Sequence, residues 1–361
     1  MAAPKFHPLE VLEIRKETAD CVSVLFKVPD ALKEEFQFTP GQYLTLKKPG
    51  SEPEIRRSYS ICCAPSEGQL RVAVKKVQDG QFSTYVNEQL RPGDILEVMT
   101  PMGKFSPRHP LKAKRYLAIA AGSGITPIMS ILKHTLATDP SSTFTLIYGN
   151  KNRNTIMFRE EVEGLKNLYM QRLRVYHVLS RETMDVPLFN GRITAGKIEE
   201  FCNTLVRLDK IDEAFICGPE EMLLSIREKL LELGMPQEKI HIELFTSPDQ
   251  PKASHAQWVS QHKGDISGVS KVSIRLDGVQ FEMNLPYQGD SILDAALKHG
   301  ADLPYACKGG VCSTCRAKLI DGEVDMEVNY ALEPDEIEKG YILTCQSHPK
   351  SEKVVVDFDA R

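Results

Sequence analysis

Apolar and polar residues alternate in short runs over the first part of the chain, from residue 1 to about 108: "VSVLFKV", "GQYLTLKK", "RSYSICCA", "QLRVAVKKV" and "DILEVMT". Runs of this length, with period two and broken by Gly, Pro and Asp, predict an antiparallel β-barrel. From about 115 to 245 the rhythm changes. Apolar runs ("RYLAIAA", "FTLIYGN", "RVYHVLS", "EAFICGP") alternate with helical patterns ("IMSILKHTLA", "MLLSIREKLLELG"), which predicts an α/β domain with a parallel sheet. Residues 246–270 are rich in Ser, Pro, Gly and Gln, lack periodicity and read as a linker. From Lys271 a third, α+β unit starts with two strands around an Asp277-Gly278 hairpin turn, followed by the helix "SILDAALKHG" stopped by Gly300. The expected organisation is therefore multidomain: a barrel at 1–110, an α/β domain at 111–245, the linker at 246–270 and a small domain at 271–361.

Composition narrows the function classes. A net charge of −4 argues against a general nucleic-acid binder, which needs a basic surface for phosphate. The acidity is concentrated in the last 91 residues, where 16 Asp and Glu face 10 Lys and Arg. The start, "MAAPKFHPLE", has no apolar core of signal-peptide length, and no run approaches the ~18 apolar residues of a membrane span. The expectation is a soluble, cytoplasmic protein. Its nine cysteines are odd in number and cannot all pair within the chain, so clustered cysteines in a reducing compartment point to metal.

The cluster is "CKGGVCSTC". Cys307, Cys312 and Cys315 stand in C-x4-C-x2-C spacing, with Cys345 thirty residues later in "LTCQSHP". Four thiolates so spaced match the plant-type [2Fe–2S] arrangement. A structural zinc site is the alternative, but it is usually built from two short C-x2-C-type pairs. Gly309 and Gly310 let the loop backbone wrap tightly and aim N–H groups at sulfur. The stretches "DLPYACKGGVCSTCRAKLIDGEV" and "GYILTCQSHP" resemble plant-type ferredoxin domains over all of 271–361. The remaining cysteines, Cys21, Cys62, Cys63 and Cys202, read as packing residues.

In the first domain, "RRSYSICCAP" carries Arg57, Tyr59 and Ser60. Arg57 and Tyr59 project from one strand face, with Ser60 beside them. Downstream, "DGQFSTYVNEQL" puts Gly80, Ser83 and Thr84 at the start of a predicted helix, where free N–H groups suit a pyrophosphate. "TPMGKF" follows, with Pro101, Gly103 and Phe105. These motifs, in this order, resemble the ferredoxin–NADP reductase family's R-x-Y-S, G-x-x-S and P-x-G-x-F segments. The resemblance implies that Tyr59 lies against the isoalloxazine of FAD, Ser60 near its reactive nitrogen, and Arg57 on the flavin phosphates. Some members of the family use FMN.

"RYLAIAAGSGITPIMSIL" is a strand, a glycine turn and a helix. Gly122 and Gly124 permit close approach of a pyrophosphate, Thr126 lies in the turn, and Pro127 suits a first helical turn. Pro127 replaces the third glycine of the Rossmann G-x-G-x-x-G, as in the same reductase family. The second strand ends "YGN", without the acidic residue that holds a ribose 2′-hydroxyl. The third strand ends "LSRE", and Ser180 and Arg181 stand where related NADPH enzymes hold the 2′-phosphate; NADPH is preferred and NADH remains open. Cys217-Gly218-Pro219 in "CGPEEM" resembles the motif that faces the nicotinamide, with Cys217 aligning rather than attacking. Glu243 and Phe245 in "IELF" match a pair that ends this domain in several relatives, where the aromatic approaches the flavin. A plain core strand is the competing reading. Glu238 and His241 have the E-x-x-H form of di-iron carboxylate sites, but such a site needs two such helices and further glutamates.

The order of flavin, nicotinamide and ferredoxin units resembles the oxygenase reductases. Across nearly the whole chain, "RRSYSIC", "AIAAGSGITP", "DEAFICGP", "SILDAALKHGADLPYACKGGVC" and "NYALEPDE" resemble the reductases of the phenylacetyl-CoA epoxidase family. That resemblance implies electron flow from NADPH to FAD to [2Fe–2S] and then to a di-iron monooxygenase of aerobic phenylacetate degradation. Reductases serving Rieske-type and steroid oxygenases share most of these motifs. Two other classes stay open: a redox-sensing module without turnover, and an oxidase passing electrons from flavin to oxygen.

Overall fold

In the computed structural model of the protein, the described residues are 5–52, 54–107, 114–245 and 268–360. The linker expected at 246–270 lies outside them as far as residue 267. The chain divides into two compact units, the larger spanning His7–Ile55 and Tyr59–Phe245, the smaller formed mainly by the C-terminal segment.

The larger unit contains two sheets. The first is antiparallel: β1 (Phe6–Thr18), β2 (Cys21–Lys27), β3 (Tyr43–Lys47), β4 (Arg56–Ser60), β5 (Leu70–Lys75) and β6 (Ile95–Met99), in the order β4-β3-β6-β1-β2-β5. A bridge from Ile61, just past β4, to Val72 of β5 joins the two ends of that order and closes the sheet into a barrel. Closure removes the unpaired edges. The interior is filled by Leu9, Val24, Leu44, Ile61, Val72, Leu96 and their neighbours. Helix α1 (Gln81–Glu88) caps one end and is seated by Phe82 and Val86.

The second sheet is parallel and holds β7 (Arg115–Ala121), β8 (Thr143–Asn150), β9 (Leu173–Leu179), β10 (Glu213–Gly218) and β11 (Ile240–Leu244), in the order β11-β10-β7-β8-β9. Helices α2 (Ile125–Thr138), α3 (Arg159–Leu168), α4 (Ala195–Thr204) and α5 (Glu220–Glu232) make the crossovers. The interior strand β10 is buried at every residue, as a strand covered on both faces must be. The strand order reverses between β7 and β10, so the crevice of this domain opens at their C-terminal ends. Barrel and parallel sheet share apolar contacts, including Phe105 set edge-on to Phe215 at 5.3 Å, and Ser130 Oγ donates to the Cys63 carbonyl at 2.7 Å.

The smaller unit is built on β12 (Val269–Leu276), β13 (Val279–Pro286), β14 (Arg316–Asp321), β16 (Tyr341–Leu343) and β18 (Lys353–Asp357), in the order β13-β12-β18-β14-β16. A second small sheet pairs β15 (Val324–Met326) with β17 (Ser347–Pro349). The hairpin turn has Asp277 at φ 51° and Gly278 at φ 74°, the two positive values that a type I′ turn needs. The helix Ile292–Lys298 is capped by Ser291, whose hydroxyl accepts from the Asp294 N–H, and Gly300 ends it at φ 83°. The unit has its own apolar core, with Ile274, Ile292, Leu343, Val356 and Phe358 at its centre. Strand β12 starts at Val269, two residues before the boundary read from the sequence.

Candidate functional sites

The crevice at the reversal of strand order brings together two turns far apart in sequence. A Cβ added to Gly124 would stand 2.1 Å from the Cys217 carbonyl oxygen, so the glycine turn after β7 lies against the end of β10. The sequence had reserved this close approach for a pyrophosphate. At Gly124 it is made by the chain itself, and at Gly122 the backbone needs φ 53° with open space around it. The Tyr148 hydroxyl donates to the Gly122 carbonyl at 3.2 Å, and Thr126 Oγ1 donates to Ser123 O at 3.0 Å. Both fix the turn. Gly218 lies against Ala121 and Met222, and Pro219 precedes α5, where a missing N–H is harmless.

Cys217 is fully buried, and desolvation, assisted by Glu243 beside it in register on β11, holds its thiol well above the ordinary range. A thiol that stays protonated is no nucleophile. The barrel reaches this point through Ser60 at the end of β4: its Oγ donates to Glu243 Oε2 at 3.1 Å, and Ser60 is 3% exposed. Enclosure pushes the Glu243 carboxyl up to about 8, with the Ser60 hydrogen bond opposing. A protonated carboxyl at neutral pH therefore stands beside a hydroxyl and a thiol. Phe245, directly after β11, is 42% exposed and unburied by the unit that carries it.

Tyr59 is half-buried, its ring centroid 5.7 Å from that of Phe82 in α1, so Tyr59 and the N-terminus of α1 are neighbours. Gly80 caps α1. The Ser83 hydroxyl accepts from the Val77 N–H and donates to the Gly80 carbonyl, both at 3.2 Å, and the Thr84 N–H closes onto Gly80 O. Ser83 thus shapes the turn whose first N–H groups face outward. Arg57 donates to the carbonyl of Arg56 at 2.7 Å. These groups fit a flavin: an aromatic flank, a polar strand end and a helix N-terminus for phosphate.

At the far edge of the parallel sheet, Ser180 and Arg181 are exposed just past β9. Their N–H groups bond the carbonyls of Asn150 and Lys151 at 3.0 and 2.7 Å, which brings the ends of β8 and β9 together. Arg153 is paired with Glu182 at 2.8 Å, whereas the Arg181 guanidinium has no ion-pair partner among the described residues. His241 does not take part in any di-iron arrangement: its Nε2 lies 3.1 Å from Glu213 at the opposite, N-terminal end of the sheet, where Lys114 also pairs with Glu213. Glu238 sits in the short turn that precedes β11.

In the smaller unit all four motif cysteines are buried. Their loop bends through positive φ at Lys308 (49°), Gly310 (75°) and Ser313 (51°), a costly backbone for Lys and Ser. The four thiols lie near enough to perturb one another, Cys312 acting most strongly on Cys307 and Cys345 on Cys315. These neighbours and burial hold Cys307 and Cys315 above the ordinary thiol range, and the same neighbours lower Cys312 and Cys345. The Gly309 N–H donates to Cys307 Sγ at 3.3 Å, and Thr314 Oγ1 is 3.2 Å from Cys312 Sγ. Among the described residues no three His, Cys, Asp or Glu side chains surround one metal position. Four buried thiols, three of them on one loop, fit a [2Fe–2S] group held by cysteine.

Among the described residues no helix is long and apolar enough to cross a membrane. Family models match in three consecutive segments: an oxidoreductase FAD-binding domain over residues 8–106, an oxidoreductase NAD-binding domain over 118–228, and a 2Fe-2S iron-sulfur cluster binding domain over 274–350. One of the subunits of 1,2-phenylacetyl-CoA epoxidase from Escherichia coli (strain K12) is 47% identical over 99% of this chain and 98% of its own. The ferredoxin reductase component of 3-ketosteroid-9-alpha-monooxygenase from Rhodococcus rhodochrous is 33% identical over 97% of this chain and 96% of its own. The same fold occurs in phthalate dioxygenase reductase, a modular structure for electron transfer from pyridine nucleotides to [2Fe–2S], with a TM-score of 0.57 at 23% identity over 98% of each chain. The chain belongs to the family of FAD-, nicotinamide- and [2Fe–2S]-dependent oxidoreductases that includes these oxygenase reductases.

Proposed function

We propose that this protein is the cytoplasmic reductase that carries electrons from NADPH, through FAD and a [2Fe–2S] cluster, to the di-iron oxygenase component of a phenylacetyl-CoA epoxidase. The electron-transfer reading is carried by the four buried cysteines of the 2Fe-2S iron-sulfur cluster binding domain, which follows FAD-binding and NAD-binding domains in the sequence. The choice of oxygenase is supported by the 47% identity to the Escherichia coli epoxidase subunit over 99% of this chain and 98% of that one.

When bound, the cofactors supply the redox chemistry: flavin accepts two electrons as hydride and the cluster takes one at a time. The protein's residues hold and tune them. Tyr59 would flank the flavin ring, Arg57 and the N-terminus of α1 at Gly80, Ser83 and Thr84 would take its phosphates, and Ser60 and Glu243 would hold a proton beside it. Gly122, Gly124, Thr126 and Pro127 would receive the pyrophosphate, Cys217, Gly218 and Pro219 would line the nicotinamide end, and Phe245 would shield the ring. Cys307, Cys312, Cys315 and Cys345 would hold the cluster. The guanidinium of Arg181, without an ion-pair partner among the described residues, supports with Ser180 a 2′-phosphate and hence NADPH. The domains are taken as 1–110, 111–245 and 271–361, with 246–270 as linker.

The test is product formation from phenylacetyl-CoA with NADPH, oxygen, this protein and the oxygenase subunits, each component omitted in turn. Epoxide that depends on this protein is the expected result. Reduction of flavin and cluster by NADPH without product would move the partner to a Rieske-type or steroid oxygenase. Arg181→Ala should raise KM for NADPH far more than for NADH; equal effects would refute the 2′-phosphate assignment.

A further inference from the structure

Gln346 follows Cys345 directly and is 1% exposed, although a glutamine is costly to bury unless its amide is bonded. Its Nε2 lies 2.9 Å from the Lys308 carbonyl oxygen, 2.8 Å from the Cys345 carbonyl oxygen and 3.5 Å from Cys345 Sγ, a contact length for the larger sulfur atom. One NH2 group therefore ties the loop that carries Cys307 to the residue that carries the last thiol. The backbone of Gln346 is fixed as well. Its N–H donates to Leu343 O and its carbonyl accepts from the Glu327 N–H, both at 2.9 Å. Its Cγ packs 3.2 Å from where a Cβ on Gly310 would stand. The carbonyl it holds belongs to Lys308, a non-glycine residue at φ 49°, so the bond supports a backbone that the local sequence does not favour.

We propose that Gln346 is a positioning residue of the cluster site, which acts in two ways. Its bond to Lys308 O keeps the 307–312 loop in register with Cys345. Its N–H directed at Cys345 Sγ stabilises the more negative, reduced cluster. One-electron reduction adds one negative charge to the four-thiolate group, and a buried donor at sulfur favours the state with more charge. Removing the donor makes the cluster harder to reduce. This inference rests on the reading that these four cysteines hold the [2Fe–2S] group.

The experiment is an EPR-monitored potentiometric titration of the full-length holoprotein and of Gln346→Met, which keeps length and burial and removes both N–H groups. Alongside it, the bleaching of the visible cluster absorbance is timed under chelator. The expected result is about a tenfold lower ratio of reduced to oxidised cluster at a fixed potential, which is a fall of about 59 mV for a one-electron couple, with faster bleaching. An unchanged potential in a variant that retains its cluster overturns the inference. If Gln346→Met does not retain the cluster, pulsed EPR of the reduced native protein with nitrogen-15 in its glutamine side chains decides. A hyperfine coupling from a glutamine side-chain nitrogen supports the inference, and its absence overturns it. A native protein without a [2Fe–2S] EPR signal would instead refute the underlying cluster reading.

Discussion

Replacing Glu243 by glutamine tests the environment where barrel and parallel sheet meet. The carboxyl titrates near 8 in the folded protein against an ordinary value of 4.5, because burial disfavours its charge more than Ser60 favours it. Between those values the unfolded chain has lost the proton and the folded chain retains it. Stability therefore falls as pH rises from 4.5 towards 8, by about 1.4 kcal/mol per pH unit and about 5 kcal/mol over the whole interval as an upper bound. Glutamine cannot ionise, yet it still accepts from Ser60, so Glu243→Gln lacks this slope. The advantage of Glu243→Gln over the native protein should be small at pH 5 and grow by up to about 4 kcal/mol by pH 8. Urea unfolding of both holoproteins at matched pH values measures the difference, and infrared spectroscopy locates the protonated carboxyl band that the variant should lack. A gap that stays flat from pH 5 to 8, or a Glu243 band that titrates between pH 4 and 5, would refute the reasoning.

At the other end of the sheet, burial opposes ionisation of Glu213, but bonds from His241 and Lys114 outweigh it and hold the carboxyl down to about 2. Its contribution is present above 4.5 and is lost as pH falls towards 2. Lys114→Met should cost about 3 kcal/mol near pH 7 and flatten the acid limb of the stability profile. Gly124→Ala puts a methyl 2.1 Å from a backbone carbonyl and should destabilise the parallel-sheet domain by at least ~1–3 kcal/mol in thermal melts. Gly164→Ala, inside α3 with open space around it, should stabilise by ~0.5–1 kcal/mol in the same assay. Cys345→Ser should abolish the cluster's EPR signal while NADPH still bleaches the flavin absorbance, and loss of both would contradict two separable sites.

Features that depend on neighbours along the chain were legible in the order of the amino acids. Period-two runs and turn residues marked the barrel strands, and the alternation of apolar runs with helical patterns marked the α/β domain. Asp277-Gly278 marked a turn needing two positive φ values, and C-x4-C-x2-C placed three thiols on one loop. Helices α3 and α4 were missed because their apolar positions are few: among their residues only Val162, Ile198 and Phe201 are buried. The chemistry of the sites was decided by residues that meet only in three dimensions. Ser60 and Glu243 are 183 positions apart, and no local signal says that one donates to the other. Gly124 looked like a phosphate glycine and is also the point where the end of β10 passes. Cys345 belonged to the cysteine motif by distance alone, and the capture of Lys308 by Gln346, next to Cys345 between β16 and β17, follows from the fold. A hydrogen bond depends on distance and direction, and a pKa on how much water the surrounding protein excludes. Both are set by the meeting of distant elements, so they exist only once the chain has folded.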